Sequence, residues 1–140
     1  MLARAERICM EAHEGQLDKG GAPYYLHPFT VARNCETEEQ KIVALLHDVM
    51  EDNPRYTPAY FIEQGFGSEI VEALVTITHR EDESYDDYIG RIKTNALARA
   101  VKIQDLIHNS DLSRLKTVTE ADLARAEKYK HYIEVLSKTE

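Results

Sequence analysis

An apolar segment that carries four polar side chains is the feature that most constrains this chain. Residues 42–52 read IVALLHDVMED, so one histidine and three carboxylates occupy the last six positions of a run of core-forming residues. Upstream, Thr37 and Gln40 have the spacing of a capping box, and Pro54 supplies a stop. These signals predict one helix over residues 37–52.

The helical period places the polar residues of this segment along one edge. The predicted buried stripe consists of Ile42, Leu45, Leu46, Val49 and Met50. Beside it, His47 with Glu51 and Asp48 with Asp52 form two i,i+4 pairs. Neighbouring carboxylates repel one another and are costly to desolvate, so they need a counter-charge, and a divalent metal is one. A frayed helix end with a solvated acidic tail also explains this segment taken alone.

Composition bounds the class of protein. The chain has 140 residues, of which 43% are hydrophobic and 30% charged, and no run of about 18 apolar residues that would span a membrane. Its first residues lack the continuous apolar stretch of a signal peptide, so we expect a soluble cytoplasmic protein that does not associate with membranes. A net charge of −8 argues against nucleic acid as a partner but leaves room for a small anion beside a metal.

Helix signals recur along the chain, while the alternation typical of strands is nearly absent. Besides the 37–52 helix, we predict helices from Leu2 to near Gln16, from Pro28 to about Asn34, from Thr57-Pro58 to Gly65, after a Ser68 cap, after a Ser84 cap, from Ala96 to about His108, and from a Thr119 cap to about Leu136. No repeat or linker divides the sequence. The prediction is a single all-α domain over residues 1–140 with seven or eight helices, in which Cys9 and Cys35 are buried free thiols.

A second apolar segment has the same character as the first. Residues 101–109 read VKIQDLIHN, with Lys102, Asp105 and Asn109 on one helical face. Earlier in the chain, His27 precedes a proline that fixes the backbone, as in a rigid loop. If the helices pack together, His27, His47, Asp48 and Asp105 supply two nitrogens and two oxygens, a set that Mn²⁺, Fe²⁺ or Zn²⁺ accepts.

The ordered motifs resemble the HD superfamily of metal-dependent phosphohydrolases. More narrowly, they are similar to the alarmone hydrolases, which remove pyrophosphate from the 3′ position of guanosine 3′,5′-bis(diphosphate), ppGpp, with Mn²⁺. The motifs that carry this resemblance are Gly15-Gln16, Gly21-x-Pro23-Tyr24, His27-Pro28, Ala44-Leu-Leu-His47-Asp48-x-x-Glu51-Asp52 and Lys102-x-x-Asp105-Leu-x-His-Asn109. They extend over about residues 5–116 in the family's order.

The resemblance implies a role for ten side chains. As ligands of one divalent metal, Mn²⁺ first and Fe²⁺ or Zn²⁺ as alternatives, it implies His27, His47, Asp48 and Asp105. As the groups that position and deprotonate the attacking water, it implies Glu51 and Asp52. Near a small phosphorylated nucleotide, it implies Lys19, Tyr24, Lys102 and Asn109. Of the other histidines, we expect His13 to be packed or on the surface, His79 and His131 to face solvent, and His108 to support the site as a donor.

Two positions depart from the pattern of the alarmone hydrolases. The family usually has arginine where this chain has Asp18, and often has arginine where this chain has Asp111. Aspartate can neither clamp phosphate in bidentate fashion nor stack on a base as arginine does. A hydrolase of another small phosphorylated metabolite is therefore an alternative, and so is a non-catalytic module that senses a nucleotide or metal. The Glu51-Asp52 pair favours an enzyme over a sensor, and the sequence leaves the oligomeric state open.

Overall fold

A computed structural model describes residues 1–113 and 115–138, which form eight helices and no strand. The helices are α1 (Leu2–Ala12), α2 (Leu26–Arg33), α3 (Glu38–Asp52), α4 (Pro58–Glu63), α5 (Ser68–Ile77), α6 (Tyr85–Ile92), α7 (Ala96–Ser110) and α8 (Glu120–Ser137). The all-α class predicted from the sequence is confirmed. None of the described helices is long and apolar enough to cross a membrane.

Side-chain caps begin several helices where the sequence predicts them. Thr37 and Gln40 form the expected capping box at the start of α3, and Thr119 and Asp122 form another at the start of α8. The Ser84 hydroxyl accepts the first-turn N–H of α6. Such caps satisfy backbone donors that have no partner within the helix, and they depend only on nearby residues.

Three predicted boundaries are wrong, each for a local reason. Helix α1 ends at Ala12, before the predicted Gln16, because the chain turns through Gly15 at a φ of 78°. Helix α2 begins at Leu26, so Pro28 lies inside its first turn, where its missing N–H costs no hydrogen bond. Gly67 is the N-cap of α5, and Ser68 is its first helical residue rather than its cap.

Helix α3 lies at the centre of the fold. It packs against α1, α2, α5 and α7. Residues 42–49 are all buried, including Val43 and Ala44, which lie outside the predicted stripe, whereas Met50 is only partly buried. A helix with neighbours on several sides buries more than one stripe. The polar groups of His47 and Asp48 are therefore inside the protein, not on a frayed helix end.

Helix α7 carries the second polar segment and joins the last helix to the core. It packs against α2, α3, α5, α6 and α8. The two cysteines are free and buried in the core, as predicted. His131 is exposed as expected, but the expectation for His79 is wrong, because its ring packs on that of Tyr88 with centroids 4.7 Å apart.

Candidate metal centre

Among the described residues, one ring nitrogen of His47 faces the interior without a hydrogen-bond partner. Its Nδ1 lies 2.7 Å from the carbonyl oxygen of Ala44, one turn earlier in α3, so the Nδ1–H donates to that oxygen. The side chain is 2% exposed, and Nε2 makes no hydrogen bond within the described part of the chain. A buried ring nitrogen whose direction is fixed by a hydrogen bond from the opposite nitrogen is the arrangement of a histidine that binds metal.

His27 reaches the same point from α2. The sequence predicted that His27 lies in the loop before α2, but it is the second residue of that helix. Its Nδ1 lies 2.5 Å from Nδ1 of His108, and its Nε2 lies 2.7 Å from Oδ1 of Asp105. If His27 Nδ1–H donates to His108, Nε2 presents its lone pair to the site. In that arrangement His108 supports His27 as a hydrogen-bond acceptor, whereas the sequence predicted a donor.

In each of the two aspartates, one carboxylate oxygen lies near a histidine nitrogen and the other accepts a hydrogen bond from Tyr24 or Lys102. Oδ1 of Asp48 lies 3.2 Å from His47 Nε2, while Oδ2 accepts a hydrogen bond of 2.8 Å from the Tyr24 hydroxyl. Oδ1 of Asp105 lies 3.4 Å from His47 Nε2, while Oδ2 accepts one of 3.0 Å from Lys102 Nζ. Both Oδ1 atoms therefore face the imidazole nitrogens, and both Oδ2 atoms are held in place.

The four side chains meet the requirements of a metal centre. All four are buried, and one ligand atom from each lies within 4.8 Å of the others. Burial disfavours the imidazolium form of His47, but Asp48 and Asp105 outweigh burial and raise its pKa to about 9. The site therefore attracts positive charge, and its two nitrogens and two oxygens can hold a divalent metal ion.

Glu51 and Asp52 lie at the exposed end of α3, one turn beyond the candidate ligands. Although both side chains are partly open to solvent, desolvation by the surrounding protein, followed by the nearby Asp48 carboxylate, raises the pKa of Glu51 above its usual value, and the same two causes raise that of Asp52. A carboxylate with a raised pKa is a stronger base than one with the usual value.

A pocket of about 350 Å³ opens beside His27. Three of the residues predicted to lie near a substrate, Lys19, Tyr24 and Asn109, line it. The pocket is also lined by Arg125 and Tyr129 of α8, for which the sequence predicted no role at the site. Sequence spacing carried no signal for these two, because their position depends on how α8 packs on α7.

Asp18 and Asp111 line this pocket too. The two departures from the alarmone-hydrolase pattern therefore lie on the wall where a ligand would sit. Asp18 also shapes its own loop, because its Oδ1 accepts hydrogen bonds of 2.9 Å from the Gly20 N–H and 3.0 Å from the Ala22 N–H.

Lys102 differs from the other residues predicted to contact a substrate. It is not among the described residues that line the pocket, and its ammonium group is directed to the Asp105 carboxylate. Burial disfavours the charged form of Lys102, but Asp105 and two tyrosines raise its pKa well above the usual value. In return, burial would raise the pKa of Asp105, but Lys102 and the two histidines hold it well below its usual range.

The fold and the site define an all-α protein with a buried cluster of two histidines and two aspartates beside a pocket. Comparison with known proteins agrees with the resemblance seen in the motifs. The chain is 36% identical over 94 residues to the bifunctional (p)ppGpp synthase/hydrolase SpoT of Escherichia coli, a match that covers 61% of this chain and 12% of SpoT. It is 35% identical over 135 residues to the guanosine-3′,5′-bis(diphosphate) 3′-pyrophosphohydrolase of Spiroplasma citri, covering 84% of this chain and 17% of that protein.

A third relative, the protein of the same name in Haemophilus influenzae, is 42% identical over 71 residues, which are 48% of this chain and 10% of the relative. The chain thus spans only a small part of the length of the curated relatives it matches. No protein-family model matches it. The resemblance to alarmone hydrolases is confirmed by these homologues, whereas the assignment of residues 1–140 to a single domain stays a prediction.

Proposed function

We propose that this chain is a metal-dependent phosphohydrolase that removes pyrophosphate from the 3′ position of ppGpp. The observation that carries the proposal is the convergence of His27, His47, Asp48 and Asp105 beside a pocket of about 350 Å³. The Nε2 of His47 makes no hydrogen bond to any described residue. The proposed substrate comes from the relatives that are named guanosine-3′,5′-bis(diphosphate) 3′-pyrophosphohydrolase.

The four clustered side chains are the proposed ligands, and Mn²⁺ is the proposed ion. A divalent metal bound there supplies Lewis acidity and lowers the pKa of a water. The protein prepares this site in advance, because Ala44 fixes the His47 ring and Tyr24 holds Asp48. Groups that orient the ligands of a metal reduce the reorganisation that binding requires.

Glu51 and Asp52 are the proposed acceptors of the water's proton. Both follow the ligand pair on α3 by one helical turn, so they lie along the same edge of the helix. Their raised pKa values make both carboxylates stronger bases for that proton. Hydrolysis at the 3′ position adds one water across the bond between the ribose oxygen and phosphorus, giving GDP and pyrophosphate.

The pocket offers complementary chemistry for a phosphorylated nucleotide. Lys19 and Arg125 supply cationic groups for phosphate, Asn109 supplies an amide, and Tyr129 supplies an aromatic ring on which a base can stack. Arg125 forms an ion pair with Asp122 of its own helix, which limits its freedom before a ligand binds. These contacts support a substrate that carries both phosphate and a base.

A second candidate function is hydrolysis of a smaller, less phosphorylated metabolite at the same metal site. The observation that favours it is the position of Asp18 and Asp111 on the pocket wall. Carboxylates repel phosphate, and the repulsion grows with the number of phosphates on the ligand. The metal and the water-activating groups would be shared by both reactions.

Assay of the purified chain with Mn²⁺ tests the proposal. We expect ppGpp to yield GDP and pyrophosphate in equal amounts, and activity to be lost after chelation and restored by Mn²⁺. A panel of nucleoside monophosphates and other phosphorylated nucleotides distinguishes the second candidate. Hydrolysis of a monophosphate with no release of pyrophosphate from ppGpp would reject the first function and retain the second.

A further inference from the structure

Lys102 lies largely enclosed beside the candidate metal ligands, and it is not among the described residues that line the pocket. Its side chain is 11% exposed, and its Nζ lies 3.0 Å from Oδ2 of Asp105, the oxygen that faces away from the histidines. Within residues 1–113 and 115–138, no other lysine or arginine forms an ion pair with Asp48 or Asp105. The resemblance implied that Lys102 lies near the substrate, but these contacts direct its ammonium group to Asp105, one of the candidate metal ligands.

The aromatic ring of Tyr88 helps to hold the Lys102 ammonium group in this position. Lys102 Nζ lies 5.3 Å from the centroid of the Tyr88 ring. The Tyr88 hydroxyl donates to the carbonyl oxygen of Ile77, which fixes the ring and leaves its face to the lysine. Tyr88 is 1% exposed, so the contact is shielded from solvent and the cation–π attraction is stronger than at a surface.

The charge balance of the region explains why a cation beside these carboxylates is stabilising. Asp48 and Asp105 lie within the cluster, and Glu51 and Asp52 follow one turn later on α3. Buried carboxylates without a counter-charge are strongly destabilising. Lys102 is a cation already in place before any metal arrives, and it interacts electrostatically with Glu51 as well as Asp105.

We propose that Lys102 is the resident counter-ion of the metal-free site: it allows the carboxylate cluster to fold before metal binds, and it weakens the binding of the metal that later shares those carboxylates. This inference rests on the metal site of the proposed function but not on its substrate. Lys102 thus acts on the metal site through the charge that it places beside Asp105, without contacting the metal or the substrate. The same charge that stabilises the empty site repels a divalent cation, so the two effects of removing it have opposite signs.

The test is a comparison of Lys102→Met with Lys102→Arg and with a surface control. Methionine keeps an unbranched side chain but loses the charge, while arginine keeps the charge. Lys130→Met removes a charge from a lysine that is 62% exposed and pairs only with Glu127 among the described residues. For each protein, thermal unfolding is measured after chelation, Mn²⁺ affinity is measured by competition with a fluorescent chelator, and KM and kcat are measured on ppGpp.

We expect metal-free Lys102→Met to unfold about 10 °C or more below the parent, because a buried ion pair has lost one partner. Its Mn²⁺ affinity should be about tenfold or more higher, because the repulsion has gone. The rise in unfolding temperature on adding Mn²⁺ should therefore be larger than in the parent. Lys102→Arg and Lys130→Met should stay close to the parent in both measurements.

Other outcomes would overturn the inference. Weaker Mn²⁺ binding in Lys102→Met would show that Lys102 only orients Asp105. A raised KM for ppGpp with unchanged Mn²⁺ affinity would show that Lys102 binds the substrate instead. A variant that folds only with Mn²⁺ supports the counter-ion role, since metal replaces the lost charge, whereas failure to fold with or without Mn²⁺ contradicts it. A parent that binds no Mn²⁺ would reject the proposed function and this inference together, while a failure confined to the variant rejects the inference alone.

Discussion

The hydroxyl of Tyr24 donates a hydrogen bond of 2.8 Å to Oδ2 of Asp48. Burial, followed by the charge of Asp48, raises the pKa of the Tyr24 phenol, so the group stays protonated and remains a donor at neutral pH. Tyr24 also lines the pocket beside His27. One side chain therefore connects the candidate metal centre to the space where a substrate would lie.

Removing this hydroxyl should weaken the metal centre. In Tyr24→Phe, the Asp48 carboxylate loses the donor that fixes its Oδ2, and we expect Mn²⁺ affinity or activity to fall about 10- to 100-fold. Titration of the metal-free protein with Mn²⁺ measures the effect. Tyr25→Phe is the matched control, because Tyr25 packs against Phe29 rather than the cluster. Equal Mn²⁺ affinities in parent and Tyr24→Phe would mean that the hydrogen bond does not orient a ligand.

Replacement of the proposed proton acceptors should separate metal binding from chemistry. In a Glu51→Gln, Asp52→Asn double variant, we expect Mn²⁺ to bind and kcat on ppGpp to fall about 100-fold or more, since amides do not accept the water's proton. Glu38→Gln with Glu39→Gln is the control at the opposite end of α3, where both residues are exposed. A kcat equal to that of the parent in the Glu51→Gln, Asp52→Asn variant would show that another group accepts the water's proton.

The same double variant should have a pH-dependent gain in stability when no metal is present. In the folded chain, the pKa of Glu51 is raised above its usual 4.5 and that of Asp52 above its usual 3.8. Both carboxylates therefore ionise less readily in the folded than in the unfolded chain, and the folded state loses stability as the pH rises through the raised pKa values. We expect the metal-free variant to unfold at a higher temperature than the parent at pH 7, with a smaller gain near pH 4.5. In contrast, the Glu38, Glu39 control should lose stability, because acidic residues in a first turn favour the helix. A gain that grows on acidification would contradict the sign of these shifts.

The charge of Asp18 should limit affinity for highly phosphorylated ligands. Asp18→Asn removes the charge but keeps the oxygen that accepts the Gly20 and Ala22 N–H groups, so the loop is preserved. A unit charge about 8 Å from phosphate is worth roughly 2 kcal/mol before salt screening, so we expect KM for ppGpp to fall about three- to tenfold. Values for nucleoside monophosphates should change less. If KM for ppGpp is unchanged, Asp18 has no influence on substrate charge.

Local chemistry made much of the fold predictable. The capping boxes at Thr37 and Thr119 depend on residues three positions apart, so their signals are complete within a short stretch of sequence. The same holds for the free thiols of Cys9 and Cys35, whose apolar surroundings are visible in the helical period. The central position of α3 was not readable in this way, because helices from four parts of the chain cover it.

The four side chains that cluster at the candidate site were predictable as a set, whereas the contacts that support them were not, and their role as metal ligands stays a prediction. His27, His47, Asp48 and Asp105 follow from residue type and family motifs, and they converge in the structure. That Arg125 lies on the pocket depends on tertiary packing, which no spacing in the sequence encodes. The direction of Lys102 likewise follows from how α7 meets α6 and its tyrosines.

The metal content of the purified chain tests the central claim most directly. Elemental analysis after incubation with Mn²⁺ and removal of excess ion should give one metal per parental chain, because four ligands around one point hold a single ion. Asp105→Asn should give none, since it loses a ligand charge and leaves Lys102 without its partner. Asp82→Asn, at an exposed position, should match the parent. A parental chain that takes up no Mn²⁺, Fe²⁺ or Zn²⁺, or an Asp105→Asn chain that retains a full equivalent, would contradict the assignment of these four residues as a metal centre.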